Sequence, residues 1–223
     1  VQKRHGYRFS LDAVLLAGLS SLRPAEQVLD LGTGCGIIPL LLAGRYPDCR
    51  FVGVEYQGSL ALLAETNVRL NGLETRISLL QTDMQALPAH FPAAAFSVVL
   101  SNPPYRPLNS GRLNPDSQRA LARHEIAASL QSVAHIAAYL LPPGGRLYLI
   151  YPAWRLVTLL SVLRQEGLEP KQLRLIYSRS DDQAVLAWLE ARRGSGEELH
   201  VLPPLTIYRS DGRYSPEMAG LLS

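Results

Sequence analysis

Four consecutive residues, Asn102-Pro103-Pro104-Tyr105, carry the groups needed to hold a planar amine for reaction. An exocyclic amino group has two N–H donors, and its lone pair is delocalised into the ring. It is therefore a poor nucleophile until acceptors meet both hydrogens. The Asn102 side-chain oxygen and the Pro103 carbonyl can be those acceptors, drawing the nitrogen toward tetrahedral geometry. The prolines fix φ and bring no competing N–H. Tyr105 adds a face on which an extruded planar group can stack. The competing reading is a Pro-Pro turn ending a strand. Placement directly after the apolar run Phe96 to Leu100 favours a catalytic set of Asn102, Pro103, Pro104 and Tyr105.

About seventy residues upstream, Val28-Leu-Asp-Leu-Gly-Thr-Gly-Cys-Gly36 reads as strand, tight turn, helix. Gly32, Gly34 and Gly36 permit unusual dihedrals and close backbone approach to a ligand. Ile37 stands where a dinucleotide fingerprint has its third glycine, which argues against nicotinamide. Val52-Gly53-Val54-Glu55 is a second strand ending in an acid that can accept from two ribose hydroxyls. Asp83 follows a third apolar run, and Asp30 lies beside the glycine turn. No Walker lysine or phosphate-clamping arginine accompanies the loop, so the ligand needs hydroxyls and an ammonium but no phosphate. S-adenosylmethionine fits that description. The expected cofactor set is Asp30, Gly32, Thr33, Gly34, Gly36, Glu55, Asp83 and Asn102, with Tyr56 and Met84 as possible walls for the adenine. Methyl displacement at a sulfonium needs placement and electrostatics more than a strong base, so a missing triad is no objection.

Periodicity supplies the elements that must position these residues. Leu11 to Leu19 predicts a first helix. Strands are predicted near 27–31, 50–55, 76–81 and 96–101, with helices at 36–45 and 58–71 between them. Residues 106–120 form a long polar loop, the kind that is usually functional. A helix over 122–140, a strand at 146–151, a helix over 154–166 and strands near 171–178 and 183–191 complete the pattern. The alternation indicates an α/β fold, a mostly parallel sheet with helices on both faces. Trp154 and Trp188 fall on predicted elements and read as packing residues. One domain over 1–223 is the economical division, with 1–24 an N-terminal helical segment and 192–223 a C-terminal extension.

The 223 residues are 47% hydrophobic and 18% charged, ordinary for a globular enzyme with one substantial core. No apolar run approaches the roughly 18–20 residues that span a bilayer. Two cysteines are too few for a disulfide framework; Cys35 lies in the glycine turn and Cys49 in a surface-like loop, and a cytoplasmic location is expected. The five histidines are scattered without a ligand spacing, so no metal site is expected. A net charge of +3 permits a nucleic-acid partner. Arg4 and Arg8 crowd the amino terminus, while Arg106, Arg112, Arg119, Arg123 and His124 follow the amine-holding motif. These are the expected phosphate contacts. Sequence alone leaves the oligomeric state open.

The glycine turn with Glu55, Asp83 and Asn102-Pro103-Pro104-Tyr105 resembles the class I S-adenosylmethionine-dependent methyltransferases that act on amino groups. Gly6-Tyr-Arg-Phe-Ser-Leu-Asp-Ala-Val-Leu-Leu16 and Ala122-Arg-His-Glu125 are more particular. They resemble the bacterial family that methylates adenine N6 in valine tRNA. The resemblance implies a Rossmann-like seven-stranded sheet of order 3-2-1-4-5-7-6, tRNA as partner, and Phe9 and Asp12 bordering the methionine end of the cofactor. Ser10 and Phe9 can equally be a cap and a staple of the first helix. Three other functions compete: glutamine-N5 methylation of a release factor, DNA adenine or rRNA guanine methylation, and RNA binding without chemistry. A carboxamide presents the same two N–H donors to Asn102 and Pro103. The glutamine enzymes normally carry several dozen helical residues ahead of the glycine turn, whereas 29 precede Asp30 here.

Overall fold

The computed structural model describes residues 11–103 and 130–222. Phe9, Ser10, Pro104, Tyr105, the expected phosphate contacts Arg4, Arg8, Arg106, Arg112, Arg119, Arg123 and His124, and the 106–120 loop lie outside the described residues.

Strands β1 (Gln27–Leu31), β2 (Arg50–Glu55), β3 (Ile77–Gln81), β4 (Val98–Ser101) and β5 (Arg146–Pro152) are parallel. An antiparallel pair, β6 (Leu168–Tyr177) and β7 (Ala184–Arg193), follows them. The order is β3-β2-β1-β4-β5-β7-β6, as the resemblance implied. Two short strands extend the sheet to nine: β8 (His200–Val201) and β9 (Leu205–Thr206) both pair with β6. The C-terminal segment is therefore built into the sheet edge.

Central strands read as continuous apolar runs because both faces are covered. Val28, Val98, Leu100, Tyr148 and Ile150 point to one layer. There they meet α1 (Leu11–Leu19), α2 (Ile37–Arg45), Val68 of α3 (Gly58–Leu70) and Met218 of α6 (Pro216–Leu222). Leu29, Leu31, Val99, Leu147 and Leu149 point to the other layer. Their partners are α4, of which residues 130–140 are described, and α5 (Leu156–Gln165). Alternation along each strand decides which layer each side chain joins.

Leu31 of β1 is level with Val54 of β2 on one side and Ser101 of β4 on the other. The strand order reverses between β1 and β4, and the carboxyl ends there open a crevice of the kind that binds ligands in α/β sheets. At the opposite edge, Arg146 donates to Glu26 at 2.5 Å and to the Ser21 carbonyl at 2.8 Å. The Tyr148 hydroxyl also donates to Ser21, at 3.0 Å. This partly buried cluster ties the chain entering β1 to the start of β5.

Two sequence expectations need correction. Cys49 is buried rather than on the surface, its thiol 3.1 Å from the Arg23 carbonyl. Trp188 is packed, stacked on Tyr148 with centroids 5.7 Å apart, but Trp154 is 72% exposed. It falls in a 3-10 turn, Ala153–Arg155, ahead of α5, so the helical periodicity that would have turned it inward does not apply.

Candidate active site

The glycine turn bridges β1 and α2, and three neighbours hold it. Val54 of β2 accepts from the backbone N–H of Gly32 and of Thr33, each at 2.9 Å. The Glu55 carboxylate accepts from the Gly34 N–H at 2.9 Å and, through its other oxygen, from the Gln57 N–H at 2.8 Å. From α3, the Asn67 amide donates 2.9 Å to the Cys35 carbonyl. Gly32, Gly34 and Gly36 have φ of 73°, 60° and 79°, which side chains disfavour. At Gly36 a Cβ would stand 3.2 Å from that of Ala64, so α3 packs on bare backbone. Among the described residues beyond its chain neighbours, no atom lies within 4 Å of where a Gly32 Cβ would be.

Two acids of unlike character face this turn. Glu55 is 7% exposed, and each oxygen keeps a lone pair beyond its backbone bond. Asp30 is 3% exposed, and among the described residues its oxygens have no partner at full hydrogen-bond geometry, the buried Thr33 hydroxyl being the nearest donor. Burial pushes the Asp30 carboxyl up to about 7, opposed by the nearby Thr33 hydroxyl and reinforced by the Glu55 charge. A buried group without partners is costly. These oxygens suit a ligand that brings a cation and hydroxyl donors, which is the chemistry of S-adenosylmethionine.

Asn102 and Pro103 leave the end of β4, next to Ser101, whose hydroxyl donates 2.9 Å to the Leu31 carbonyl. Asn102 is half-buried and Pro103 buried. The structure thus brings Asn102 and Pro103 to the strand adjoining the one that carries Asp30, Gly32, Thr33, Gly34 and Gly36. Glu55 adjoins from the other side. Tyr56, 73% exposed, stands free beside Glu55, so core packing does not explain it. Asp83 and Met84 follow β3, one strand further out. Exposed Asp83 caps the next turn by accepting from the Gln85 N–H at 2.9 Å, and Met84 packs partly against the core. Asp12 lies in the first turn of α1, half-buried. Among the described residues no His, Cys, Asp or Glu cluster could hold a metal ion.

Sequence reasoning missed Asn67 and Ser101. Asn67 was detectable as a polar residue on the apolar stripe Leu60, Ala64, Val68 of its helix; Ser101 sends no signal of its own.

Residues 11–153 match the family described as methyltransferase small domain. The chain belongs to this family. It is thus an S-adenosylmethionine-dependent methyltransferase. The methyltransferase is 32% identical to a tRNA1(Val) (adenine(37)-N6)-methyltransferase from Porphyromonas gingivalis, with 96% of this chain and 86% of that protein covered. A protein of the same name from Tolumonas auensis is 29% identical, with 99% and 90% covered. Among solved structures, a predicted O-methyltransferase of Agrobacterium tumefaciens superposes with a TM-score of 0.78 at 22% identity, covering 94% of each chain. TrmN from Thermus thermophilus gives 0.62 at 25% identity, with 81% of this methyltransferase and 48% of TrmN covered. No described helix is long and apolar enough to cross a membrane.

Proposed function

We propose that this methyltransferase modifies an adenine of tRNA at N6. The observation that carries the reading is the 32% identity to a tRNA1(Val) adenine-N6 enzyme across 96% of the chain; the position of Asn102 and Pro103 at the end of the strand beside the glycine turn supports it. S-adenosylmethionine supplies a methyl group activated by its sulfonium. Asp30 provides negative charge for the cationic end of the cofactor, and the spare lone pairs of Glu55 take its ribose hydroxyls. Thr33 and the open backbone at Gly32, Gly34 and Gly36 border it, as do Asp12 and Phe9. Tyr56, Asp83 and Met84 line the adenine side. Asn102 and the Pro103 carbonyl accept from the two N6 hydrogens, while Pro104 stiffens the segment and Tyr105 stacks on the extruded base. The new bond is N6–C, and the displaced electron pair stays on sulfur. The amine proton leaves to solvent once the nitrogen is cationic. Arg4, Arg8, Arg106, Arg112, Arg119, Arg123 and His124 meet RNA phosphates, which gives affinity and register without base reading. The enzyme works in the cytoplasm, where reduced Cys35 and Cys49 are at home.

The test is direct. Undermodified total tRNA is incubated with the enzyme and labelled cofactor, then digested, and the labelled nucleoside is identified. N6-methyladenosine is expected. Label in a glutamine-containing protein and in no nucleic acid would overturn the reading. Asn102→Ala should lower single-turnover transfer by about a hundredfold while cofactor affinity holds.

A further inference from the structure

Immediately beyond β5 stands a pair of residues that the proposed chemistry leaves unused. Arg155 is 8% exposed, no described carboxylate pairs with it, and the described polar group it faces is the Tyr151 hydroxyl. Its guanidinium lies 4.6 Å from the centroid of the Trp154 ring. Trp154 itself is 72% exposed. A buried cation is ordinarily matched by an anion, and a large exposed indole is ordinarily packed. Here the described residues give the cation a hydroxyl but no carboxylate, and they leave the indole bare.

The location is informative. β4 and β5 are parallel neighbours with Ser101 level with Leu149, so Asn102 and the 3-10 turn bearing Trp154 emerge at the same sheet edge. A guanidinium under one indole face leaves the other face for a planar group, and its donor fork matches two oxygens of a phosphate. We infer that Trp154 and Arg155 form a nucleotide subsite, with a base flanking the target adenine stacked on the Trp154 indole and its phosphate held by Arg155. This rests on the RNA reading of the active site. An aromatic face alone would suit many partners; joined to a guanidinium that no described carboxylate neutralises, it selects a ligand with a base and an anion.

Fluorescence and affinity test it together on the full chain, with undermodified tRNA as probe. Trp188 is buried, so stacking on Trp154 should appear as quenching that Trp154→Phe removes. Phe keeps a stacking face, and that variant should bind tRNA within about threefold of wild type, whereas Trp154→Ala should lose about tenfold or more. Cofactor affinity should be unchanged in both. Arg155→Gln should weaken tRNA binding and lower its salt slope by about one unit. Because Arg155 is buried, its variant is read only alongside the exposed Trp154 pair. If wild type methylates tRNA while Trp154→Ala binds it with wild-type affinity, the subsite is wrong and the RNA reading stands. If wild type methylates no RNA, both fall.

Discussion

The Ser101 hydroxyl donates to the Leu31 carbonyl across the point where the strand order reverses. Each is the last residue of its strand, and the next residues are Asn102 and Gly32. The separation between the Asn102 segment and the glycine turn is therefore set partly by one buried hydroxyl. Neither loop fixes it alone.

Ser101→Ala should cost about 1 kcal/mol of stability through that lost bond. Its sharper effect should fall on the transfer rate, because the two loops gain freedom while each keeps its own groups. Single-turnover kinetics at saturating cofactor are expected to slow, with the calorimetric cofactor affinity nearly intact. A wild-type rate would remove Ser101 from the positioning machinery.

Glu55 braces the Gly34 and Gln57 N–H groups, and under the proposed function its spare lone pairs also take the ribose hydroxyls of the cofactor. Glu55→Ala should weaken S-adenosylmethionine by about 1 to 3 kcal/mol. It should also raise hydrogen exchange at the Gly34 amide in the cofactor-free protein. Unchanged affinity by calorimetry would exclude Glu55 from the site.

Asp30 makes stability depend on pH. In the unfolded chain its carboxyl titrates near 3.8, and in the fold at about 7. Between these values the unfolded chain has lost a proton that the folded chain retains, so stability falls as pH rises through the window. The full cost is present above about 7. Three units correspond to a penalty on the order of 4 kcal/mol. Asp30→Asn should thus gain melting temperature over wild type as pH increases from 4 to 7.5 without cofactor. A cationic ligand favours the ionised form, so wild-type cofactor affinity should rise toward pH 7 and then level off, with proton release on binding. A pH-independent gap between the two melting curves would sink this account.

Gly53 is the close-approach glycine under the turn. A Cβ there would stand 3.0 Å from both Thr33 Cγ2 and Thr33 Oγ1, and 3.1 Å from Leu79 Cδ1. Gly53→Ala should destabilise by about 1 to 3 kcal/mol through overpacking and weaken cofactor binding by displacing Thr33. Adding Thr33→Ala should recover part of the stability. Denaturant curves for the single and double variants check this.

The sheet was legible because parallel strands flanked by helices leave strong apolar runs: β1 and β2 lie on the residues periodicity assigned, and α1 ends at Leu19 as expected. The proposed site rests on positions where chemistry demands residue types, as at Gly32, Glu55 and Asn102, and the fold brings these three to neighbouring strand ends. Contacts between side chain and distant backbone were not. Asn67 reaches Cys35 and Ser101 reaches Leu31 through tertiary geometry that no local pattern encodes. Trp154 was misread because a tryptophan placed on a helix defaults inward, while the 3-10 turn before α5 carries it outward. β8 and β9 are two residues each, too short for an alternation to register.

The Arg146–Glu26 clamp lies at the edge where strands begin, a full strand length from the glycine turn. Anchorage and the proposed chemistry thus occupy opposite poles of one sheet. Changes to loops at the proposed reactive pole should therefore leave the clamp untouched. A laboratory library confined to the reactive pole would explore specificity with the scaffold's tolerance intact.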